Sequence, residues 1–111
     1  MTLREQADRL GIKPPTKPTL RKYGIDEGEW LTFLAMQDWV CAICKKRHYS
    51  WNIDHEHVPG WKKMMPEQRK RYVRGVLCIH CNWKVIHSNL PAWMARNMAD
   101  YLTAYEARRD A

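Results

Sequence analysis

Two pairs of cysteines constrain this chain more than any other feature of its sequence. Each pair encloses two residues, and the four cysteines are Cys41, Cys44, Cys78 and Cys81. Four thiolates presented in this way match the tetrahedral, sulfur-rich coordination of structural zinc. A closed four-sulfur site leaves no position open for water or substrate. We therefore predict one structural zinc ion, which stabilises the fold and takes no part in catalysis.

Two alternatives concern the same cysteines. His48 and His80 are substitute ligands by residue type, but the two cysteines that flank His80 already point at the metal, which favours the all-cysteine set. Disulfides are the other alternative, and they require an oxidising compartment. Because the sequence has neither a signal-peptide pattern nor an apolar run of membrane-spanning length, we expect a soluble, cytoplasmic protein with reduced cysteines.

Length and charge set broader bounds. A chain of 111 residues has room for one domain with a modest core, so a metal is a plausible aid to folding. The 19 Lys and Arg residues outnumber the 12 Asp and Glu residues, which gives a formal charge of +7. A surplus of this sign points to a polyanionic partner, and we expect DNA, bound mainly through its phosphates, and no membrane.

The N-terminal third contains two predicted helices and a linker. Thr2 and Glu5 have the spacing of a capping box and predict a short first helix. Residues 12–18 are rich in proline and lysine and are expected to run extended as a basic linker. A second helix is predicted from Asp26, and its Trp30 is interpreted as a core residue rather than a base-stacking one.

The middle of the chain has strand and turn signals. Residues 48–53 and the β-branched stretch 72–77 are predicted to be strands, with a turn at residues 59–60 between them. A helix is predicted to start at or near Asn82. A longer helix follows from Ser88 or Asn89, with a packing face formed by Met94, Met98, Tyr101, Leu102 and Tyr105. A dimer interface is the alternative use of that face.

The spacer between the cysteine pairs carries the remaining unusual residues. Asp54 and His55 follow the first predicted strand, where adjacent side chains face oppositely unless the backbone bends. Asn82 directly follows the last cysteine, so zinc binding would hold it against the hairpin that carries Asp54. The oxygen pair of Asp54 and Asn82 suits one Mg²⁺ or Mn²⁺ ion, and a neutral imidazole accepts a proton from water near neutral pH. Ordinary surface polarity on a zinc ribbon is the alternative, and enclosure between the cysteine pairs argues against it.

An ordered set of sequence words resembles the phage recombination endonuclease VII family, within the HNH or His-Me finger nuclease superfamily. The words are Tyr23-Gly24-Ile25, the acidic helix to Trp30, Cys41-Ala42-Ile43-Cys44, Ile53-Asp54-His55-Glu56-His57, Val73-Arg74-Gly75-Val76-Leu77-Cys78 and Cys81-Asn82. They span roughly residues 20–87. The resemblance implies a small α+β fold, in which a zinc-stapled ββα-metal core carries flanking N- and C-terminal helices.

The same resemblance implies an enzyme, an HNH endonuclease that leaves 5′-phosphate and 3′-hydroxyl ends. It implies that His55 is the general base and that Asp54 and Asn82 hold the catalytic metal ion. His57 would orient the substrate or the metal shell. Arg74 would contact a phosphate, or alternatively brace an acidic partner inside the fold.

We therefore expect three segments in the chain. Residues 1–22 form an N-terminal helix and a basic linker, residues 23–87 form the zinc-bound nuclease core, and residues 88–111 form a C-terminal helix. Two departures from the family stand out. The family joins the second histidine to the Val-Arg-Gly word by a tight turn, whereas here the connection is a long basic insertion. Its cations are candidates to grip DNA phosphates, or are simply solvated: Lys62, Lys63, Arg69, Lys70 and Arg71. The acidic residue that some members carry after the asparagine is replaced here by Trp83, Lys84 and Val85.

Three functions remain open on the sequence. The first is a DNA endonuclease that nicks, cuts both strands or resolves branched DNA. The second is a zinc-dependent nucleic-acid-binding module without catalysis, and the third is a zinc-braced protein interaction domain. The complete set of Asp54, His55 and Asn82 favours the first, because binding alone does not need it. Monomer and homodimer are both compatible with the sequence.

Overall fold

The computed structural model describes residues 1–83, 85 and 91–111. Within these residues the chain forms six α-helices and a two-stranded antiparallel sheet, so the small α+β class is confirmed. The elements are α1 (Leu3–Arg9), α2 (Lys17–Lys22), α3 (Glu27–Met36), β1 (Trp51–His55), α4 (Pro66–Arg69), β2 (Val73–Cys78), α5 (Ile79–Trp83) and α6 (Ala92–Arg109). Short 3₁₀ turns at Trp61–Lys63 and Lys70–Tyr72 flank α4. None of the described helices is both long and apolar enough to span a membrane.

The N-terminal helix starts where the capping box places it. The side chain of Thr2 accepts a hydrogen bond from the Glu5 N–H, and the Glu5 carboxylate accepts one from the Thr2 N–H. This reciprocal pair satisfies two donors that a helix start leaves free. On the inner face, Ala7 is fully buried, and α1 packs against α3. The prediction for this helix is confirmed.

The extended linker predicted over residues 12–18 is partly wrong. Helix α2 begins at Lys17, and Pro18 lies in its first turn, where the missing proline N–H costs nothing because the first helical N–H groups have no intrahelical partner. Ile12 is also buried in the core. The segment is therefore fixed onto the domain by burial at Ile12 and by Leu20 of α2, and it does not act as a free tether.

Helix α3 matches its prediction and supplies the centre of the core. Asp26 caps it through a second reciprocal capping box with Glu29. Trp30 and Leu34 are fully buried, so the interpretation of Trp30 as a core residue is confirmed. These side chains pack against Ile53 and Val76 of the sheet, which places the sheet directly on the helical layer.

The two strands pair from Trp51 opposite Cys78 to His55 opposite Val73. The first strand was predicted three residues too early, so Asp54 and His55 lie inside β1 rather than after it. The register shifts between Asp54 and His55, which is a β-bulge. A bulge bends the strand locally and redirects neighbouring side chains. The sequence analysis required such a bend if Asp54 and His55 were to serve one site.

Helix α5 starts at Ile79, three residues before the predicted start, so Asn82 lies near its end. The reason is local: the Cys81 N–H donates to the Cys78 sulfur at 3.3 Å, so the cysteine knuckle itself closes the first turn. Helix α5 packs on both strands, which completes a ββα unit. The predicted start of the next helix at Ser88 or Asn89 lies outside the described residues.

The last helix, α6, runs from Ala92 with Pro91 as its N-cap. Met94, Met98 and Tyr101 pack against the core cluster around the cysteines, and Tyr105 is buried. The predicted packing face is confirmed for these four residues. The dimer interface suggested for the same face stays a prediction.

Candidate functional site at the sheet

The four cysteines converge at the end of the sheet where Trp51 pairs with Cys78. Their sulfur atoms all lie within 4.8 Å of one another, and the Cys44 and Cys78 sulfurs are 4.0 Å apart. A tetrahedral zinc site with bonds of about 2.3 Å has sulfur–sulfur edges of about 3.8 Å. The four residues are free thiols, so they form no disulfide. They are positioned to bind one metal ion, which is consistent with structural zinc.

The electrostatics of the cluster also call for a cation. Burial, together with the proximity of Cys41 and Cys78, raises the pKa of Cys44 to about 11. Burial and the neighbouring sulfurs also raise the pKa of Cys81. Without a metal, Cys44 and Cys81 therefore stay protonated near neutral pH, because their thiolate forms would repel the neighbouring sulfurs and lack solvation. A bound divalent cation removes both penalties, because it takes up the thiolates directly.

His48 lies beside this cluster without joining its ring of sulfurs. Its Nε2 is 3.2 Å from the Cys44 sulfur, and its ring packs edge-on against Trp51. An imidazole N–H in this place donates to a thiolate and orients it, as groups around metal ligands commonly do. The all-cysteine set predicted from the sequence is therefore the one that the structure assembles, with His48 next to it.

On one side of β1, Asp54 is held in a buried polar cluster. Asp54 is only 3% exposed. Its carboxylate accepts two hydrogen bonds from Arg74, at 2.8 and 3.1 Å, and one from the Tyr101 hydroxyl at 2.7 Å. Burial, followed by the Asp54 carboxylate, raises the pKa of Tyr101, so its phenol stays a donor. The bidentate guanidinium fixes the orientation of the Asp54 carboxylate.

A glycine makes this cluster possible. Gly75 pairs with Asp54 across the sheet. A Cβ atom at this position would lie 2.6 Å from Gln37 Oε1 and 2.8 Å from Tyr101 Cε1. The absence of a side chain lets the Tyr101 ring cross β2 and reach Asp54. The Gln37 side chain accepts a hydrogen bond from the Val76 N–H at 3.0 Å and donates one to the Val76 carbonyl oxygen at 2.7 Å. It therefore pairs the backbone polar groups of Val76 in β2.

Helix α6 holds the next acidic residue in the same way. The Tyr105 hydroxyl donates to Glu56 at 2.8 Å, and Arg109 donates to both carboxylate oxygens at 3.0 and 3.1 Å. Arg108 donates to the backbone oxygen of Arg74. Helix α6 therefore fixes two acidic side chains, Asp54 in β1 and Glu56 directly after it.

His55 lies in different surroundings, among aromatic rings. It is half-buried and stacks on Trp61, with ring centroids 4.3 Å apart, and on His57, with centroids 4.8 Å apart. Tyr23 approaches at 5.5 Å. Burial, followed by the nearby His57, lowers the pKa of His55, so the neutral imidazole predominates near neutral pH. Stacking engages ring faces and leaves the nitrogen atoms at the ring edge free to react.

A cavity of about 500 Å³ opens next to this stack. It is lined by His55, His57, Val58, Gly60, Trp61, Lys62 and Lys63. The two lysines are exposed, so their ammonium groups are accessible to an anion at the rim. The cavity therefore combines one half-buried imidazole with two accessible cations, which suits a phosphate group of a nucleic acid.

The other basic residues of the insertion have structural contacts instead. Arg69 donates to the backbone oxygens of Lys22 and Lys62 at 2.9 and 2.8 Å. Lys70 forms an ion pair with Glu29 of α3. The guanidinium of Arg71 lies over the ring of Tyr72. The sequence treated these cations as one group, but in the structure Arg69 and Lys70 dock the insertion on the N-terminal helices, whereas Lys62 and Lys63 lie at the cavity rim.

The Arg74 guanidinium braces Asp54, and its contact with a phosphate stays a prediction. Asn82 lies half-buried in α5, which rests on the strand that carries Asp54 and His55. The roles of His57, Asn82 and the insertion lysines in binding metal or phosphate stay predictions.

Comparison with known proteins identifies the lineage of this site. A family model described as recombination endonuclease VII matches residues 16–104, which is most of the chain. The chain belongs to this family. The family match includes all four cysteines, the hairpin and most of α6, and it extends beyond the region of resemblance seen in the sequence. Membership of the endonuclease VII family indicates a nuclease that acts on DNA. No curated protein and no solved structure gives a significant match.

Several site residues were missed in the sequence. Tyr101 and Tyr105 were assigned to a packing face, and only the polar tips of those side chains hinted at partners. Gln37 and Arg109 belong to no sequence motif that would have predicted their contacts. The stacking of Trp61 on His55 depends on how the insertion folds back, which no local pattern specifies.

Proposed function

We propose that this member of the endonuclease VII family is a divalent-metal-dependent DNA endonuclease of the HNH class. It hydrolyses phosphodiesters to 5′-phosphate and 3′-hydroxyl ends. The observation that carries this proposal is His55, a half-buried imidazole with a lowered pKa that lines a cavity with Lys62 and Lys63 and is adjacent to the buried Asp54. A binding module has no need of a desolvated neutral imidazole at its anion site.

His55 acts as the general base. With its ring stacked on Trp61 and on His57, the imidazole presents its edge to a water molecule. It takes a proton from the water while the water oxygen forms a bond to phosphorus. The bond from phosphorus to the 3′ oxygen breaks on the opposite side, in line with the attack. Lys62 and Lys63 bind phosphates of the same strand, and His57 orients the scissile group.

Asp54 and Asn82 are the proposed ligands of the catalytic ion. Their carboxylate and amide oxygens fit a hard cation. A carboxylate has about four acceptor positions, and Asp54 uses three of them for Arg74 and Tyr101, which leaves one on Oδ1. When bound, Mg²⁺ or Mn²⁺ supplies charge stabilisation at the phosphoryl and leaving oxygens. Arg74 and Tyr101 keep the ligand oriented.

The cysteine cluster holds the structural zinc in this proposal. Its four ligands leave no open position, and it lies at the opposite end of the sheet from His55. Zinc therefore fixes the hairpin and α5, and through them Asp54, His55 and Asn82.

One observation favours the alternative, a non-catalytic zinc-dependent nucleic-acid-binding module. Asp54 is already neutralised by Arg74, so its charge is balanced without a metal ion. In that case the cavity and its lysines bind phosphate, and His55 takes part in no reaction.

Cleavage of supercoiled plasmid separates the two. The purified protein is incubated with Mg²⁺, with Mn²⁺ or with EDTA, beside His55→Ala and the matched variant His80→Ala, whose side chain is exposed on α5. We expect nicking or linearisation that requires metal, survives in His80→Ala and is lost in His55→Ala without loss of DNA binding. DNA binding by every variant with no cutting by any of them would favour the module.

A further inference from the structure

Residues 58–72, here called the cap, are the long connection between the two strands. The cap is docked on the N-terminal half of the protein. Arg69 donates to the Lys22 backbone oxygen at 2.9 Å, and Lys70 pairs with Glu29. At Gly24, with φ of +76°, a Cβ atom would lie 1.9 Å from the Pro66 oxygen. The backbone of the cap therefore packs so closely on Gly24 that no other residue fits at this position.

Arg69 also organises the cap internally. Its guanidinium donates to the backbone oxygens of Trp61, at 3.2 Å, and Lys62, at 2.8 Å. The same group lies 4.3 Å from the centre of the Trp61 ring, which is the range of a cation–π contact. Three backbone carbonyls and one indole thus share a single arginine. This arrangement fixes where Trp61 lies relative to α2.

Trp61 in turn contacts the proposed base. Its ring stacks on His55 with an interplanar angle of 22° and a centroid distance of 4.3 Å, and Tyr23 contacts both rings. The indole N–H is buried and has no acceptor among the described residues. A buried donor without a partner is costly. Trp30 and Trp51 have the same unpartnered indole N–H, so the placement of Trp61 is argued from its stacking on His55 and its contact with Arg69.

We propose that Trp61 is a positioning residue for the reaction, held by Arg69, and that it fixes the plane of the His55 imidazole so that its edge faces the cavity. This inference rests on the proposed function, in which His55 is the base. Stacking restrains the tilt of the imidazole without bonding to its nitrogen atoms. The cap therefore has two parts: Lys62 and Lys63 face the substrate, and Trp61, held by Arg69, faces the catalytic histidine.

A positioning role predicts a particular kinetic signature. Trp61→Ala removes the closer of the two rings stacked on the imidazole, so kcat should fall by about 10- to 100-fold, the range expected when a reacting group is slightly misplaced. KM should change little, because the indole contacts protein groups. Trp61→Phe keeps an aromatic face and should recover most of kcat. Arg69→Ala should lower kcat less than Trp61→Ala does, because the stack on His55 persists.

The matched control is Trp93→Ala, since Trp93 lies half exposed near the start of α6. It should cleave as the unsubstituted protein does. Zinc content and thermal unfolding are measured on every variant, so that a kcat loss caused by unfolding is recognised. A rise in KM with unchanged kcat would overturn the proposal, because Trp61 would then be a substrate contact. Equal losses in Trp61→Ala and Trp61→Phe would also overturn it.

A second readout does not depend on activity. In the NMR spectrum, the ring current of a stacked indole shifts the His55 carbon-bound protons upfield. These resonances should move downfield in Trp61→Ala and stay unchanged in Trp93→Ala. If they do not move in Trp61→Ala, the stack is absent in solution and the proposal fails although the nuclease stands. If the resonances move but the unsubstituted protein never cuts DNA, the proposed function fails and takes the catalytic role of Trp61 with it.

Discussion

The two ends of the sheet are held in different ways. Where Trp51 pairs with Cys78, four sulfurs converge on one point, and a single ion can satisfy all of them. Where His55 pairs with Val73, the chain is held by stacked rings, by Arg69 and by a close backbone approach at Gly24. Coordination is all-or-none, whereas stacking and hydrogen bonds each contribute about 1 kcal/mol. Stability should therefore depend on one end and reactivity on the other.

The zinc end should be the more sensitive of the two. Cys78→Ser removes a ligand that also ends β2 and directly precedes α5. Structural zinc contributes roughly 10 to 16 kcal/mol of binding free energy in small domains, more than most such domains have as net stability. We expect loss of zinc and of the cooperative unfolding transition, measured by metal analysis and circular dichroism. His80→Ala, in the same helix, should keep both. A Cys78→Ser protein that lacks zinc but unfolds at the original temperature would show that the metal is dispensable.

Between the two ends, Gly75→Ala tests the polar cluster around Asp54. The added methyl group would lie 2.6 Å from Gln37 Oε1 and 2.8 Å from Tyr101 Cε1, so one of the two side chains must move. Overpacking of this kind costs about 1 to 3 kcal/mol. The control is Gly28→Ala in α3, where the nearest atom is 3.4 Å away and alanine favours the helix by about 1 kcal/mol. Urea unfolding should show a loss for the first variant only, and equal stability of the two would contradict the packing described at Tyr101.

The sequence specified the zinc end far better than the cap end. Cysteine spacing is a local pattern with one physical meaning, and capping boxes at Thr2 and Asp26 define helix starts within a few residues. The site at Asp54 depends on Tyr101, which lies 47 residues away. Such contacts follow from how elements pack, and the bulge that turns Asp54 and His55 apart is a property of the pair of strands. For the same reason the sequence could not assign different roles to the cations of the cap, because only tertiary contacts distinguish Arg69 from Lys62.

At the cap, a double substitution of Lys62 and Lys63 by alanine should have the smallest effect on stability. Both side chains are exposed, so the free energy of unfolding should change by less than about 0.5 kcal/mol. DNA affinity should fall, and the slope of log affinity against log salt should decrease by about 1 for each lysine that contacts a phosphate. Replacing Lys45 and Lys46, also exposed, is the control. An unchanged salt slope in the Lys62 and Lys63 variant would remove these lysines from the DNA-binding surface.

Adding metal back to the zinc-loaded protein separates the roles of the two ends in a single measurement. The protein is dialysed against a weak chelator until native mass spectrometry shows one zinc per chain and no other ion, and supercoiled plasmid is then supplied with increasing Mg²⁺ or Mn²⁺. We predict no cutting with zinc alone, and cutting that rises with the added ion while the circular dichroism spectrum stays constant. Cutting by the zinc form without added metal, or a folded protein that binds DNA but never cuts it at any concentration of either ion, would contradict the division of structure and chemistry between the two ends of the sheet.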